Sequence, residues 1–138
     1  MRIFVAGGSG VIGRQLLPLL ISHGHQVVAL TRSPAKVDSF RAAGAEPVIA
    51  DALDAEALAD AVVLARPDLV IHQLTSLPPT PDPRRHAAAN AQTARLRIQG
   101  DRNLLRAATA AGVRRVIAQS IAFGYAPGIG PASEEEPS

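Results

Sequence analysis

The sequence has no cysteine, only one lysine and no long apolar run in its 138 residues. Without cysteine there is no disulfide framework, thiolate nucleophile or cysteine-ligated zinc site, and a reducing compartment is permitted. The apolar stretch Leu16–Ile21 is too short to span a bilayer, and the glycine-rich segment before it has neither a basic region nor a signal-peptide cleavage pattern. We therefore expect a cytoplasmic protein that does not enter the membrane.

Acidic residues are also scarce among the arginines of the second half, although the net charge is only +2. The arginines of this segment are Arg84, Arg85, Arg95, Arg97, Arg102, Arg106, Arg114 and Arg115, and Asp101 is the only acidic residue among them. Nucleic-acid surfaces usually combine such charge with a recognised motif or with aromatic side chains that stack on bases, and this segment has no aromatic residue. We interpret the arginines as the solvated face of a long helix and expect no nucleic-acid partner.

The chain alternates strand-like and helix-like runs, and 47% of its residues are hydrophobic, enough for one compact domain with a sizeable core. The strand-like runs are Ile3–Ala6, Gln26–Thr31, Glu46–Ala50, Leu69–Gln73 and Arg115–Gln119. The helix-like runs are Val11–Ile21, Pro34–Ala43, Ala55–Ala65 and Arg85–Ala111. This alternation predicts an α/β fold with a parallel sheet, which binds ligands at the carboxyl ends of its strands, where the strand order reverses.

Glycines are concentrated between the first strand and the first helix. They fit two registers, Gly8-x-Gly10-x-x-Gly13 and Gly7-x-x-Gly10-x-x-Gly13. Glycine at these positions permits a tight turn and a close approach of main-chain N–H groups to a ligand, and the helix N-terminus adds free donors and partial positive charge. The pattern predicts a site for a nucleotide diphosphate; the alternative is an ordinary strand-to-helix turn.

Several separated segments together resemble the N-terminal part of the extended short-chain dehydrogenase/reductase superfamily, the NAD(P)-dependent epimerase/dehydratase group. The segments are Ala6–Gly13, Asp51–Asp54, Asp68–His72, Gly100–Ala108 and Gly112–Val116, and the resemblance covers residues 1–125. It implies a Rossmann-type doubly wound parallel sheet with five strands in the order 3-2-1-4-5, with the C-terminal part of the family fold missing. It also implies the glycine register Gly7, Gly10 and Gly13.

The end of the second strand indicates which dinucleotide is preferred. An acidic side chain there would accept hydrogen bonds from the ribose hydroxyls of NAD, but this chain has Thr31-Arg32-Ser33. Arg32 suits the 2′-phosphate of NADP, and Lys36 lies within one helical turn and adds a second positive charge. We predict NADP(H) in preference to NAD(H); the alternative is that Arg32 is a solvent-exposed loop residue.

Asp51 follows the third strand and has two interpretations. The family resemblance implies that it accepts a hydrogen bond from the adenine amino group, whereas a structural role would be to begin the loop leading to Asp54, the N-cap of the next helix. The predicted dinucleotide contacts are Gly7, Ser9, Gly10, Val11, Ile12, Gly13, Arg32, Lys36, Asp51 and Ala52.

The histidines give no indication of a metal site. His72 lies within the fourth strand, where we expect a core histidine bonded to the backbone. His23 and His25 flank a turn glycine and would point to opposite sides, and His86 begins a helix without a nearby histidine or carboxylate. We predict no bound metal.

The catalytic residues are the weakest part of the resemblance. Members of the superfamily use a serine or threonine after strand five and a tyrosine and lysine four residues apart, in which the lysine lowers the pKa of the tyrosine. The only tyrosine here is Tyr125, and Ile129 follows it by four positions, so that pair is absent. Ser120 is our candidate for the catalytic serine, and Gln119 is the alternative occupant of that position.

The C-terminal residues 126–138 contain prolines, glycines and three consecutive glutamates, and we interpret them as a loop or flexible tail after a domain at 1–125. Because the family continues well beyond its fifth strand, we expect a fragment or truncated gene product, with an uncovered sheet edge that favours marginal stability or self-association into a homo-oligomer. The expected function is the NAD(P)(H)-binding part of a reductase, epimerase or dehydratase acting at a carbonyl or sugar-like carbon. The alternatives are a non-catalytic NADP(H)-binding module, similar to the NmrA-like regulators, and an inactive fragment.

Overall fold

The computed structural model describes residues 1–76 and 83–119, so the predictions for Ser120, Tyr125 and the segment 126–138 fall outside the described residues. The strands are β1 (Arg2–Ala6), β2 (Gln26–Thr31), β3 (Glu46–Ile49), β4 (Leu69–His72) and β5 (Arg115–Ala118). The helices are α1 (Val11–Ser22), α2 (Val37–Ala42), α3 (Ala55–Ala65), α4 (Pro83–Arg95) and α5 (Asp101–Ala110). A 3₁₀ turn at Pro34–Lys36 precedes α2, and a π-helical turn at Leu96–Gly100 joins α4 to α5.

The strands form one parallel sheet in the order β3-β2-β1-β4-β5, which confirms the predicted topology. The central strand β1 pairs with β2 on one side and β4 on the other, so Phe4 lies beside both Val28 and Val70. The chain leaves β1 toward β2 on one side and later returns to place β4 on the other. The strand order therefore reverses at the carboxyl end of β1, where doubly wound folds bind ligands.

Helices cover both faces of the sheet because the side chains of β1 alternate between them. Phe4 is fully buried in one cluster, with Leu58 of α3 and Leu104 of α5. Val5 is fully buried in the other, with Leu17 of α1 and Phe40 of α2. This two-sided arrangement is the doubly wound architecture that the sequence predicts, and it fixes the carboxyl edge of the sheet between two packed layers.

Helix α3 begins and ends where its local sequence dictates. The Asp54 carboxylate caps it, since Oδ1 accepts hydrogen bonds from the N–H groups of Glu56 and Ala57, each at 3.1 Å. The helix ends at Ala65; its C-cap residue, Arg66, has a φ of +44° in the left-handed region, and Pro67 follows. The predicted cap and the predicted range of this helix are both confirmed.

The long helix predicted over Arg85–Ala111 is interrupted. The chain is helical from Pro83 to Ala110, but Leu96–Gly100 forms a π-helical turn between α4 and α5. Neither this segment nor any other helix of the described residues combines the length and apolarity that crossing a membrane requires.

Candidate functional site

A cleft, which we call the carboxyl-edge cleft, follows the edge of the sheet at which the strands end. Its first part lies over the ends of β2 and β3, and its second part lies over the N-terminus of α1 and the ends of β4 and β5. Gly7, Ser9, Gly10, Gln73 and Thr75 line both parts. All ten predicted contacts line this one cleft: Gly7, Ser9, Gly10, Val11, Ile12, Gly13, Arg32, Lys36, Asp51 and Ala52.

The loop between β1 and α1 requires glycine at two positions. Gly7 has φ +99°, and a Cβ at this position would overlap the carbonyl group of Gln73. A Cβ at Gly13 would overlap the carbonyl oxygen of Gly7 and the backbone of Gly8. Gly8 has no positive φ. The backbone therefore fits the register that begins at Gly7, and it brings β1, β4 and the start of α1 into direct contact.

The N-terminus of α1 offers main-chain donors to the cleft. Gly10 is the N-cap residue, no side chain caps the helix, and its first turn contains no acidic residue. The first turn, Val11–Gly13, lines the cleft. Free N–H groups and the partial positive charge of the helix end together favour a bound anion.

Two cationic side chains border the other part of the cleft. Arg32 and Lys36 are exposed, line the cleft and form no ion pair with a carboxylate in the described ranges. The loop before them is fixed by Thr31, whose Oγ1 accepts a hydrogen bond from Ser33 N–H at 3.1 Å. The exposure of Arg32 agrees with its interpretation as a loop arginine, and its place in the cleft agrees with a phosphate contact.

Asp51 has the structural role that the sequence analysis left open, and it also lies in the cleft. Its Oδ1 accepts a hydrogen bond from Leu53 N–H at 2.9 Å, which begins the loop toward the Asp54 cap. The same residue lines the cleft beside Ala52. One carboxylate oxygen therefore shapes the loop, and no hydrogen bond within the described residues engages the other.

Other lining residues were missed by the sequence analysis. Gln73 and Thr75 follow β4, and their position after a strand at the carboxyl edge was a usable signal. Arg14 lies one residue beyond the last glycine of the loop and borders the same part of the cleft. Leu96, the first residue of the π-helical turn, lines the first part, and the sequence carried no signal for that turn. Gln119, the alternative to Ser120 at the catalytic position, also lines the cleft.

His72 is buried, as expected for a core histidine, but its Nε2 lies 2.6 Å from Oδ1 of Asp101. The predicted partner of His72 was the backbone, whereas the observed neighbour is the Asp101 carboxylate. In residues 1–76 and 83–119, no three histidine, cysteine, aspartate or glutamate side chains are grouped so that they could hold a metal ion.

The chain is similar to known proteins that bind nicotinamide dinucleotides. The family model described as "NAD(P)H-binding" matches residues 7–136. The chain is 50% identical to a 3-diazoavenalumate denitrifying reductase from a Streptomyces species, over 99% of this chain and 43% of that protein. It is 34% identical to 4-hydroxy-2-methyl-3-oxo-4-farnesyl-3,4-dihydroquinoline-1-oxide ketoreductase from Stigmatella aurantiaca, over 85% of this chain and 32% of that protein.

A solved structure shows the same relationship. The UDP-glucose-4-epimerase from Stenotrophomonas maltophila, determined with bound NAD and formylated UDP-arabinopyranose, matches with a TM-score of 0.80 and 25% identity. The match covers all of this chain and 42% of the epimerase. The chain thus spans less than half the length of these relatives. It belongs to the NAD(P)H-binding family, within the extended short-chain dehydrogenase/reductase group.

Proposed function

We propose that the chain is the cofactor-binding part of an NADP(H)-dependent reductase. The observation that carries this proposal is the convergence of the glycine loop, the uncapped N-terminus of α1, and the cations Arg32 and Lys36 on one cleft. The residues fit a dinucleotide because the backbone at Gly7 and Gly13 leaves no room for a Cβ, and because the donors and cations suit phosphate groups.

Each part of the cleft has a proposed task. The first turn of α1 holds the diphosphate, the loop at Asp51 and Ala52 holds the adenine, and Arg32 and Lys36 hold the 2′-phosphate. Gln73, Thr75 and Gln119, at the ends of β4 and β5, then line the end of the cleft at which the substrate is reduced. The bound cofactor, when reduced, supplies a hydride.

The first candidate substrate is a carbonyl compound, as in the ketoreductase relative. Reduction of a carbonyl requires a proton on the new alkoxide in addition to the hydride. The family resemblance assigns that proton to a tyrosine with a lysine four residues later, a pair absent from these 138 residues. For a carbonyl substrate, the proton would therefore have to come from another group of this chain or from a group outside these 138 residues.

The 50% identity to a denitrifying reductase supports a second candidate, an aromatic diazonium group. Hydride reduction of such a group would form a C–H bond at the carbon whose C–N bond breaks, and dinitrogen would leave with the electron pair of the C–N bond. The positive charge of the diazonium group and the negative charge of the hydride cancel, so no protein group has to donate a proton. Gln73, Thr75 and Gln119 carry no charge, which is compatible with this chemistry, while the cation Arg14 borders the same part of the cleft.

The test is a titration of the purified protein with NADPH and with NADH, followed by cofactor fluorescence and by thermal shift. Saturable binding with NADPH preferred supports the proposal, and equal affinities would remove the assigned role of Arg32. A folded chain that binds neither cofactor contradicts the proposal. Oxidation of NADPH with an arenediazonium salt or with a ketone then separates the two substrate classes, and binding without turnover of either supports the non-catalytic module.

A further inference from the structure

A buried amide of α5 holds the loop at the adenine end of the cleft. Asn103 Nδ2 donates a hydrogen bond of 3.0 Å to the carbonyl oxygen of Ala52, across 51 positions of sequence. Both residues are buried, with Asn103 6% and Ala52 4% exposed. This bond joins a helix of one layer to the residue that follows Asp51.

The π-helical turn brings a second contact to the same loop. Gly100 lies against Ala52, since a Cβ at Gly100 would be 3.8 Å from the Ala52 Cβ. Gln99 Nε2 lies 3.5 Å from the carbonyl oxygen of Leu53, a long hydrogen bond. Leu96 at the start of the turn lines the cleft itself. Turns of this kind are frequent at functional sites, where they redirect side chains within a helix.

Packing alone does not account for an asparagine at this position. The other buried residues of α5 are apolar: Leu104, Ala107 and Ala108. A buried amide is unfavourable unless its polar atoms are hydrogen-bonded, so its benefit here depends on the Ala52 carbonyl. The bond restrains the backbone of the loop in which Asp51 Oδ1 is itself bonded to Leu53 N–H.

We propose that Asn103 is a positioning residue for adenine recognition, an inference that rests on the proposed cofactor function. By holding the Ala52 carbonyl, Asn103 fixes the main chain on which the Asp51 carboxylate is presented to the cleft. Asn103 does not line the cleft and acts only through the loop. Its effect is therefore on recognition of the base and not on recognition of the 2′-phosphate by Arg32.

The experiment compares Asn103→Leu with the wild-type chain, using NADPH, NADH and the reduced hypoxanthine analogue of NADPH, which lacks the adenine amino group. We expect the wild-type chain to prefer adenine over hypoxanthine by about tenfold, as for a hydrogen bond to a charged group. Asn103→Leu should reduce this preference to near unity and retain the preference for NADPH over NADH. Arg102→Ala, an exposed change on the same helix, is the control and should retain both preferences.

The other outcomes overturn the inference. If Asn103→Leu keeps the base preference, or loses the base and phosphate preferences together, Asn103 does not position the adenine loop specifically. A wild-type chain without a base preference excludes the inference as well. If Asn103→Leu does not fold, Asn103→Ala removes the N–H donor with a smaller apolar side chain and supplies the same comparison. Failure of the wild-type chain to bind NADPH at all would instead contradict the proposed function.

Discussion

Nε2 of His72 lies 2.6 Å from Oδ1 of Asp101, joining the end of β4 to the start of α5. The two side chains differ in exposure, 6% for His72 and 38% for Asp101. Neither atom has an aligned hydrogen-bond partner among the described residues, and each is buried from solvent. Gln73 and Thr75, which line the cleft, come shortly after His72 in the sequence. The contact therefore joins α5 to the strand that leads into the cleft.

The contact should contribute to stability through a measurable coupling. We expect Asp101→Asn to lower the free energy of unfolding by about 1 kcal/mol, a modest effect because water reaches the carboxylate. A double-mutant cycle with His72→Asn, followed by urea denaturation, should give a coupling energy of at least ~0.5 kcal/mol. Asp38→Asn is the matched control, since the Arg41–Asp38 pair is exposed at 66% and 96%. Additive effects of the two changes would show that the contact does not stabilise the fold.

The elements of this fold were predictable where local sequence decides them. Strands Gln26–Thr31 and Leu69–His72 are apolar runs bounded by turns, and Asp54 has the side chain of an N-cap. The placement of the ten predicted contact residues in one cleft was predictable because parallel strands end at a common edge and because the glycine loop directly follows the central strand.

Tertiary contacts decided the rest. The sequence of Leu96–Gly100 predicts a continuous helix. Its π-helical form coincides with two tertiary contacts, the packing of Gly100 on Ala52 and the long hydrogen bond from Gln99 to Leu53. Likewise, Asp101 follows this turn, and nothing in its neighbourhood in the sequence indicates a histidine of β4 as its partner. A change of helical register within a segment redirects each later side chain, and the hydrophobic pattern alone does not reveal it.

Arg32 should control the choice between the two dinucleotides. Arg32→Ala removes a charge-assisted contact to the 2′-phosphate, so we expect the Kd for NADPH to rise by roughly tenfold while that for NADH stays within about twofold. The measurement is a fluorescence titration with each cofactor. Arg106→Ala, an exposed change on α5 away from the cleft, should alter neither value. Equal weakening of both cofactors by Arg32→Ala would contradict the assignment.

Gly7 should be far less tolerant of a side chain than a glycine of similar conformation elsewhere. Gly7 (φ +99°) and Gly24 (φ +78°) both have positive φ, but a Cβ at Gly7 meets the Gln73 backbone, whereas nothing lies within 4 Å of one at Gly24. Gly24→Ala should therefore lower the free energy of unfolding only by the cost of a left-handed backbone conformation in a non-glycine residue, about 1–2 kcal/mol. Gly7→Ala should cost clearly more and abolish cofactor binding. Equal midpoints of the two variants in urea denaturation would show that the loop relaxes around the added methyl group.

Asp51 offers a way to separate the shape of the loop from recognition of the base. Asp51→Asn retains an oxygen that can accept the hydrogen bond from Leu53 N–H, which is 2.9 Å long in the wild-type chain. It places an amide N–H₂ where the second carboxylate oxygen stood. A donor there cannot accept a hydrogen bond from the adenine amino group. We expect the free energy of unfolding to change by less than ~0.5 kcal/mol, while the Kd for NADPH rises about tenfold.

Asp51→Ala is the companion variant, because it removes both functions and should lower stability as well as affinity. If Asp51→Asn leaves the Kd for NADPH unchanged and Asp51→Ala lowers only stability, the carboxylate serves the loop and has no part in binding adenine. The comparison depends on the two oxygens of one side chain, one bonded within the loop and one without a hydrogen bond among the described residues, so a single titration series with urea denaturation distinguishes the two roles.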